Sequence, residues 1–316
     1  MDAAPFYADV ADAPAGAVSA WLEAVDGVKV RAAYWRGGDK GTVLLFPGRT
    51  EYVEKYGPAA REFAARGYSL ATIDWRGQGI ADRLLDDRAP GHVGTFADYQ
   101  LDLAAFTAFL KGERLPEPWF LVAHSMGGCI GLRAILHGLP VRAVAFSGPM
   151  WGIQMPFFMR PVAWSISSLA PILGQAHRYV PATSPTTYVL ATGFEENLLT
   201  RDPAMYDFMR HQMLDHPDLA IGGPTLGWLR EALIETRALA AQPSPKLPCL
   251  TVLGGSERIV DVQAIRSRMA RWPGGRLDVV PEAEHEVMME VPATRQRFYD
   301  AAAGLFDSVP REKLRF

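Results

Sequence analysis

In the stretch LVAHSMGG, residues 121–128, a serine stands between an apolar run and two glycines. A serine hydroxyl becomes a nucleophile when a base removes its proton, and that base must be oriented by an acid. Small residues lie two positions before and after Ser125, at Ala123 and Gly127. They let a strand and a helix approach closely enough for a strained turn to lift the hydroxyl clear of the backbone. The competing account is an ordinary helix N-cap, a role serine favours. The expected base is His285 in LDVVPEAEHEVMME, just after the last apolar run and before a helical pattern. Histidines 92, 137, 177, 211 and 216 fall in expected loops, helices or the segment rich in Pro and Met, and His124 adjoins Ser125 on the opposite side of the pleat.

Two carboxylates follow the preceding apolar run, in CLTVLGGSERIVD. Glu257 lies among the first loop residues and is the expected acid. Asp261 is the alternative, standing where it would cap a helix beginning near Val262. A fourth run ends in TVLLFPGRTEYVEKY, where Gly48 lets the backbone pass close to a ligand. The backbone N–H groups of Arg49 and Met126, one from each loop, would then form an oxyanion hole. The Arg49 side chain is expected to pair with Glu51 or Glu54. The glycine-rich DWRGQGIAD, residues 74–82, lacks the Lys-Ser/Thr of a phosphate loop, so Asp74 is expected to bond the amides of a structural turn. No metal or organic cofactor is required by this chemistry.

Such side chains need strand ends to hold them, because ligands of open α/β sheets bind beyond the carboxyl ends of the strands. VSAWLEAVDGVKVRAAYW reads as an opening hairpin, followed by strands in TVLLF, YSLATID, WFLVAH, VRAVAFSG, CLTVLGG and RLDVVPE. Helices are expected near 54–66, 97–110, 126–138, 262–271 and 292–306. This alternation implies a mostly parallel central sheet flanked by helices. It fails between about 150 and 240, which read as a helical cap inserted after the sixth strand, with the core formed by 1–149 and 241–316.

Composition narrows the setting. The 316 residues are 49% hydrophobic and 21% charged, enough for one large core, and a net charge of −3 gives no general attraction to nucleic acid. Cys129 and Cys249 have no ligand-type spacing. The acidic N-terminus is unlike a signal peptide, so a cytoplasmic product is expected. Between Ala143 and Ala176 the only charge is Arg160, and prolines cut the stretch into pieces too short to span a bilayer. Burial is the expectation for these pieces; peripheral contact of the cap with the inner membrane stays open, as does the oligomeric state.

With these residues in place, the chain resembles the α/β-hydrolase superfamily, and within it the bacterial lysophospholipases of the monoglyceride-lipase type, also called serine aminopeptidase-like hydrolases. The blocks that carry the resemblance are FPGRTEYVEKY, IDWRGQGIADRLL, GHVGTFADYQLDLAAF, LVAHSMGG, SGPMWGI and EHEVMME, in family order and outside residues 155–245. The resemblance implies Ser125 as nucleophile, His285 as base and Glu257 at the acid position, although that position often carries Asp. Pro47 replaces a histidine found in many monoglyceride lipases and moves the match toward the lysophospholipase branch.

No Asp or Glu occurs from Pro118 to Phe194, whereas Arg133, Arg142, Arg160 and Arg178 do. An acyl chain would suit Trp151, Phe157, Phe158, Met159 and Trp164, and a phosphate would suit arginine. The same aromatics could instead pack the cap's own core. A lipid-like ester is therefore favoured as substrate, with an aminopeptidase, kept in play by Glu195 and Glu196, or a small-ester esterase as alternatives. A ligand-binding homologue without catalysis is a third reading.

Overall fold

The computed structural model describes residues 2–310. Eight strands form one sheet: β1 (Val18–Glu23), β2 (Lys29–Trp35), β3 (Thr42–Phe46), β4 (Ser69–Asp74), β5 (Trp119–His124), β6 (Val141–Ser147), β7 (Cys249–Gly254) and β8 (Arg276–Val280). Their spatial order is β1-β2-β4-β3-β5-β6-β7-β8. β2 runs antiparallel to both its neighbours, and β3 to β8 are mutually parallel.

Helices cover both faces. Gly57–Ala65 and Pro292–Asp307 lie on one side, where Phe63, Tyr299 and Phe306 meet Phe120 and Val122. Asp98–Gly112, Met126–Leu136 and Val262–Met269 lie on the other, with Phe106 and Ile130 against Leu121 and Phe146. Because β3, β4, β5 and β7 are buried along their whole length, their sequences run apolar continuously instead of alternating.

Between β6 and β7 the described residues form helices and isolated bridges but no strand. The longer helices are Met159–Ile172, Pro203–Asp215 and Leu226–Ala241. Asp202 and Thr225 start the last two by accepting from the N–H groups of Ala204 and Trp228. An Arg133–Glu235 pair, 2.7 Å, fastens the third to the core helix Met126–Leu136. This is the expected cap. Among the described residues, no helix is long and apolar enough to cross a membrane.

A fully buried charge cluster organises the edge of the sheet near the site. Arg31 donates to both oxygens of Glu54, at 2.6 and 2.7 Å, and to Asp74 at 2.8 Å, with no side-chain exposure in any of the three. Asp74 also accepts from the N–H groups of Val53 and Ile80, so it holds the turn after β4 as the sequence suggests. Removing one member of a buried ion cluster strands the others without solvation. Arg31→Met should therefore lower unfolding free energy by about 3–5 kcal/mol in urea titration. Arg61→Met, which breaks an exposed pair with Asp12, should cost less than about 1 kcal/mol.

Candidate active site

The turn after β5 is the tightest point in this region. Ser125 has φ +49° and ψ −118°, a conformation that L-residues rarely adopt. Its N–H donates to the Ser147 carbonyl at 3.1 Å, and its own carbonyl accepts from Gly128 and Met150 at 2.9 and 2.8 Å. The hydroxyl makes no capping bond, so the residue sits at a helix start without serving as its cap. The helix can begin there only because the backbone is bare. A Cβ on Gly127 would lie 2.2 Å from the Phe46 carbonyl oxygen, and one on Gly128 would lie 2.6 Å from Pro149.

His285 is buried in the loop after β8, and its Nδ1 is 2.6 Å from Oε2 of Glu257. The other Glu257 oxygen accepts from the N–H groups of Ile259 and Val260, at 2.7 and 3.1 Å. Burial alone would raise the Glu257 pKa, but the imidazole and these amides hold it below the ordinary carboxylate value. Burial alone would lower that of His285, and Glu257 instead raises it above the ordinary imidazole value. Asp261 is engaged elsewhere: Oδ1 accepts from Gln263 and Ala264 at the start of Val262–Met269, and Oδ2 pairs with Arg160 at 2.7 Å.

Ser125 and His285 open onto one cavity of about 310 Å³. Arg49 and Met126 line it as well. Around Arg49, the Gly48 N–H is taken by Glu51 and the Thr50 N–H by Gln78, while the Arg49 N–H has no partner among the described residues. Met126 is the first residue of its helix, so its N–H has no intrahelical acceptor. The apolar part of the cavity comes from Tyr188, Val189, Leu198, Met209, Met213 and Val260.

Several expectations change here. Trp151, Phe157, Phe158 and Trp164 do not line the cavity. Trp151 is core: it stacks on Trp272, meets Phe146 edge-on and donates its indole N–H to the Gly128 carbonyl at 3.2 Å. Phe157 and Phe158 point outward, 83% and 62% exposed, and Trp164 lies under the guanidinium of Arg237. Composition located the aromatics in the cap but carried no information on which way they face. Glu195 and Glu196 are likewise exposed and outside the cavity lining.

Two basic residues also behave differently. Arg49 pairs with neither Glu51 nor Glu54, because Lys55 and Arg31 claim those carboxylates. Its Nη1 donates to the Gly222 carbonyl at 2.9 Å, and its guanidinium lies 5.7 Å from the centre of the Trp228 ring. Burial draws its pKa down to about 10, which leaves it charged at neutral pH. His124, set aside from sequence, has its ring 4.7 Å from that of His285. Its side chain shares the face of Phe120 and Val122, and the chain carrying His285 crosses that face. Burial depresses the His124 pKa to about 3, so this imidazole is neutral.

Beneath the cavity, the Lys55 ammonium bonds Glu51 at 2.7 Å and Glu286 at 2.5 Å, and Tyr56 also donates to Glu51 at 2.5 Å. Glu51, His124 and Glu286 bring potential metal-ligand atoms within 4.8 Å of one another. An ammonium group already occupies the place a cation would take. Lys55 was missed from sequence, since its partner Glu286 is 231 residues away.

An eight-stranded, mostly parallel sheet with a serine on a strained strand-to-helix turn and a helical insertion after β6 defines the α/β-hydrolase class of fold. The serine aminopeptidase S33 family model matches residues 37–292, and the chain belongs to that family. It is 32% identical to lysophospholipase L2 of Escherichia coli over 305 residues, covering 90% of this chain and 85% of that one. It is 29% identical to a probable lysophospholipase L2 of Haemophilus influenzae over 256 residues, covering 80% of each. Among solved structures, a monoglyceride lipase from Saccharomyces cerevisiae superposes with a TM-score of 0.70 at 20% identity, covering 90% of this chain and 94% of that one. A carboxyl esterase from Bacillus coagulans does so with 0.73 at 13% identity, covering 94% and 99%. By family the chain is a serine ester hydrolase.

The strain at Ser125 is measurable. A positive-φ residue outside the common left-handed well costs about 1–3 kcal/mol unless it is glycine. Ser125→Gly should therefore unfold at higher urea than Ser125→Ala, by about 1 kcal/mol after allowance for glycine's greater freedom in the unfolded chain. Equal stability of the two variants would mean that the turn is unstrained.

Proposed function

We propose that the protein cleaves the acyl ester of lipid-like substrates, lysophospholipids or monoacylglycerols, through an acyl-enzyme on Ser125. The Ser125 Oγ attacks the ester carbonyl carbon while Nε2 of His285 takes its proton. The N–H groups of Arg49 and Met126 stabilise the resulting oxyanion. Collapse expels the alcohol, which receives the proton from His285. Water, deprotonated by the same imidazole, then attacks the acyl carbonyl, and the fatty acid leaves as Ser125 regains its hydrogen.

The observation that carries this reading is the 2.6 Å contact between His285 and Glu257, at an imidazole that opens on the same cavity as the half-buried Ser125. The apolar wall favours an acyl chain over a charged peptide. Kinship at 32% identity with a lysophospholipase supports a lipid ester in particular.

Residues 150–240 act in this reading as a lid whose outer surface rests on the lipid. In Met159–Ile172 and the residue beyond it, Met159, Val162, Ile166, Leu169 and Leu173 recur at intervals of three and four, and all are exposed. The buried Ser167 and Ala170 mark the adjoining side, packed toward Leu226–Ala241. A contiguous apolar stripe on a surface helix suits shallow insertion between head groups.

Two measurements test these assignments. Glu257→Gln should cut kcat by about 100-fold or more, whereas Asp261→Asn should stay within about fivefold of wild type. The imidazole acts as base only when neutral, so wild-type kcat/KM should rise with pH through a value above 6.5, the direction in which Glu257 shifts His285. Removing that carboxylate leaves burial dominant, and the acid limb should move to lower pH. The reverse ranking of the two variants would transfer the acid role to Asp261. For the lid, wild type should float with vesicles of phosphatidylethanolamine and phosphatidylglycerol. Ile166→Glu/Leu169→Glu should float at least fivefold less, and wild type that stays unbound would remove the membrane contact.

A further inference from the structure

We propose that the Arg49 side chain is the reader of a phosphate in the substrate head group, so that one residue contacts both the ester and the phosphate of a lysophospholipid. This rests on the lipid-ester reading above. Four charged residues line the cavity: Arg49, Glu51, Lys55 and Glu286. Lys55 is paired with both carboxylates, which together exceed its charge by one. Arg49 has no carboxylate within ion-pair distance among the described residues, so of the two cations lining this space it is the one without an ion-pair partner.

The guanidinium is held, not free. One N–H is fixed by the Gly222 carbonyl, and the Trp228 ring, itself part of the cavity wall, supports its face. A Cβ on Gly91 would stand 3.0 Å from Nη1, so the backbone closes around the group without displacing it. Arginine carries five N–H donors, and the remaining ones suit the oxygens of a phosphate in a forked arrangement. A half-buried cation with no counter-ion gains more from an anionic ligand than an exposed one does, because water screens it less.

The covalent lengths agree. Three glycerol carbons separate the acyl ester oxygen from the phosphate ester oxygen of a lysophospholipid. Three methylenes separate the Arg49 backbone from its guanidinium. The arginines that composition brought forward are placed differently: Arg133 and Arg160 are paired with Glu235 and Asp261, Arg178 is exposed, and Arg142 donates to the Pro310 carbonyl. None of the four lines the cavity.

The test compares palmitoyl lysophosphatidic acid with monopalmitoylglycerol, which differ only in the phosphate, presented in the same detergent micelles. The readout is the ratio of their kcat/KM values, in which any disturbance of the Arg49 backbone cancels. Arg49→Gln should lower the ratio at least tenfold, and Arg49→Lys, which keeps the charge without the fork, should lower it less. A ratio within twofold of wild type in Arg49→Gln, with both lipids still cleaved, overturns the phosphate contact and leaves the lipid-ester reading standing. Cleavage of p-nitrophenyl butyrate but of neither lipid overturns both. Inhibition of p-nitrophenyl butyrate cleavage by inorganic phosphate in wild type but not in Arg49→Gln, with an unchanged lipid ratio, assigns Arg49 to a free anion and overturns the head-group role.

Discussion

The site depends on how closely bare backbones approach one another at the carboxyl edge of the sheet. Ser125 can hold a strained conformation because Gly127 lies against the end of β3 and Gly128 against the segment leaving β6. The same device joins the other two loops. A Cβ on Gly254, at the end of β7, would fall 2.1 Å from the carbonyl oxygen of Glu284, next to His285. The loops bearing Glu257 and His285 therefore touch backbone to backbone before any side chain is counted. A carboxylate and an imidazole separated by 28 residues reach 2.6 Å because their strands, β7 and β8, are neighbours in the sheet and their loops share this seam.

Buried charge supplies a second tie, with different energetics. Lys55 bridges Glu51, whose carboxylate accepts from the Gly48 N–H, and Glu286, which is adjacent to His285. One ammonium thus couples the loop presenting the Arg49 N–H to the loop presenting the imidazole. Burying three such charges is costly, and their mutual attraction offsets the cost only if the geometry is well satisfied. Here Tyr56 and the Gly48 amide complete the shell of Glu51. The cluster contributes position more than stability: a shift of either loop would leave a carboxylate desolvated and unpaired. His124, neutral beside His285, adds a polar neighbour without a competing positive charge.

Strand and helix order was legible in the sequence because the core elements obey local rules. Each apolar run became a strand, and Asp261 does cap the helix starting at Val262. The pairing of Glu257 with His285 followed from the rule that active groups sit just past strand ends, which needs only chain order and run boundaries. Direction within the cap was not legible. Trp151 reads the same in sequence whether it faces a ligand or stacks on Trp272, since that partner lies beyond the cap in another strand-helix unit. The fate of Arg49 was hidden for a related reason. Nearby acids suggested a salt bridge, but Glu51 and Glu54 were claimed by cations whose positions depend on tertiary packing.

The cap is fastened to the core unequally, and this bears on how a substrate enters. Around Leu226–Ala241 the attachments are dense: the shielded Arg133–Glu235 pair, the Gly91 and Gly222 amide bonds between residues 89–91 and 222–223, and the Gly222 carbonyl held by Arg49. Around Met159–Ile172 the principal polar tie is Arg160 to Asp261, with the arginine half exposed. Exposed pairs are weak and screened by salt, so this tie contributes little, about 1 kcal/mol or less, and the helix is held chiefly by its packing on Leu226–Ala241. The helix with this weak polar tie to the core is also the one with the exposed apolar stripe. A lipid surface that binds this stripe would pull on the weaker fastening while the firmer one keeps Arg49 and Trp228 in register with Ser125. On the proposed reading, the cap would then yield toward the lipid without disturbing the wall assigned to the head group.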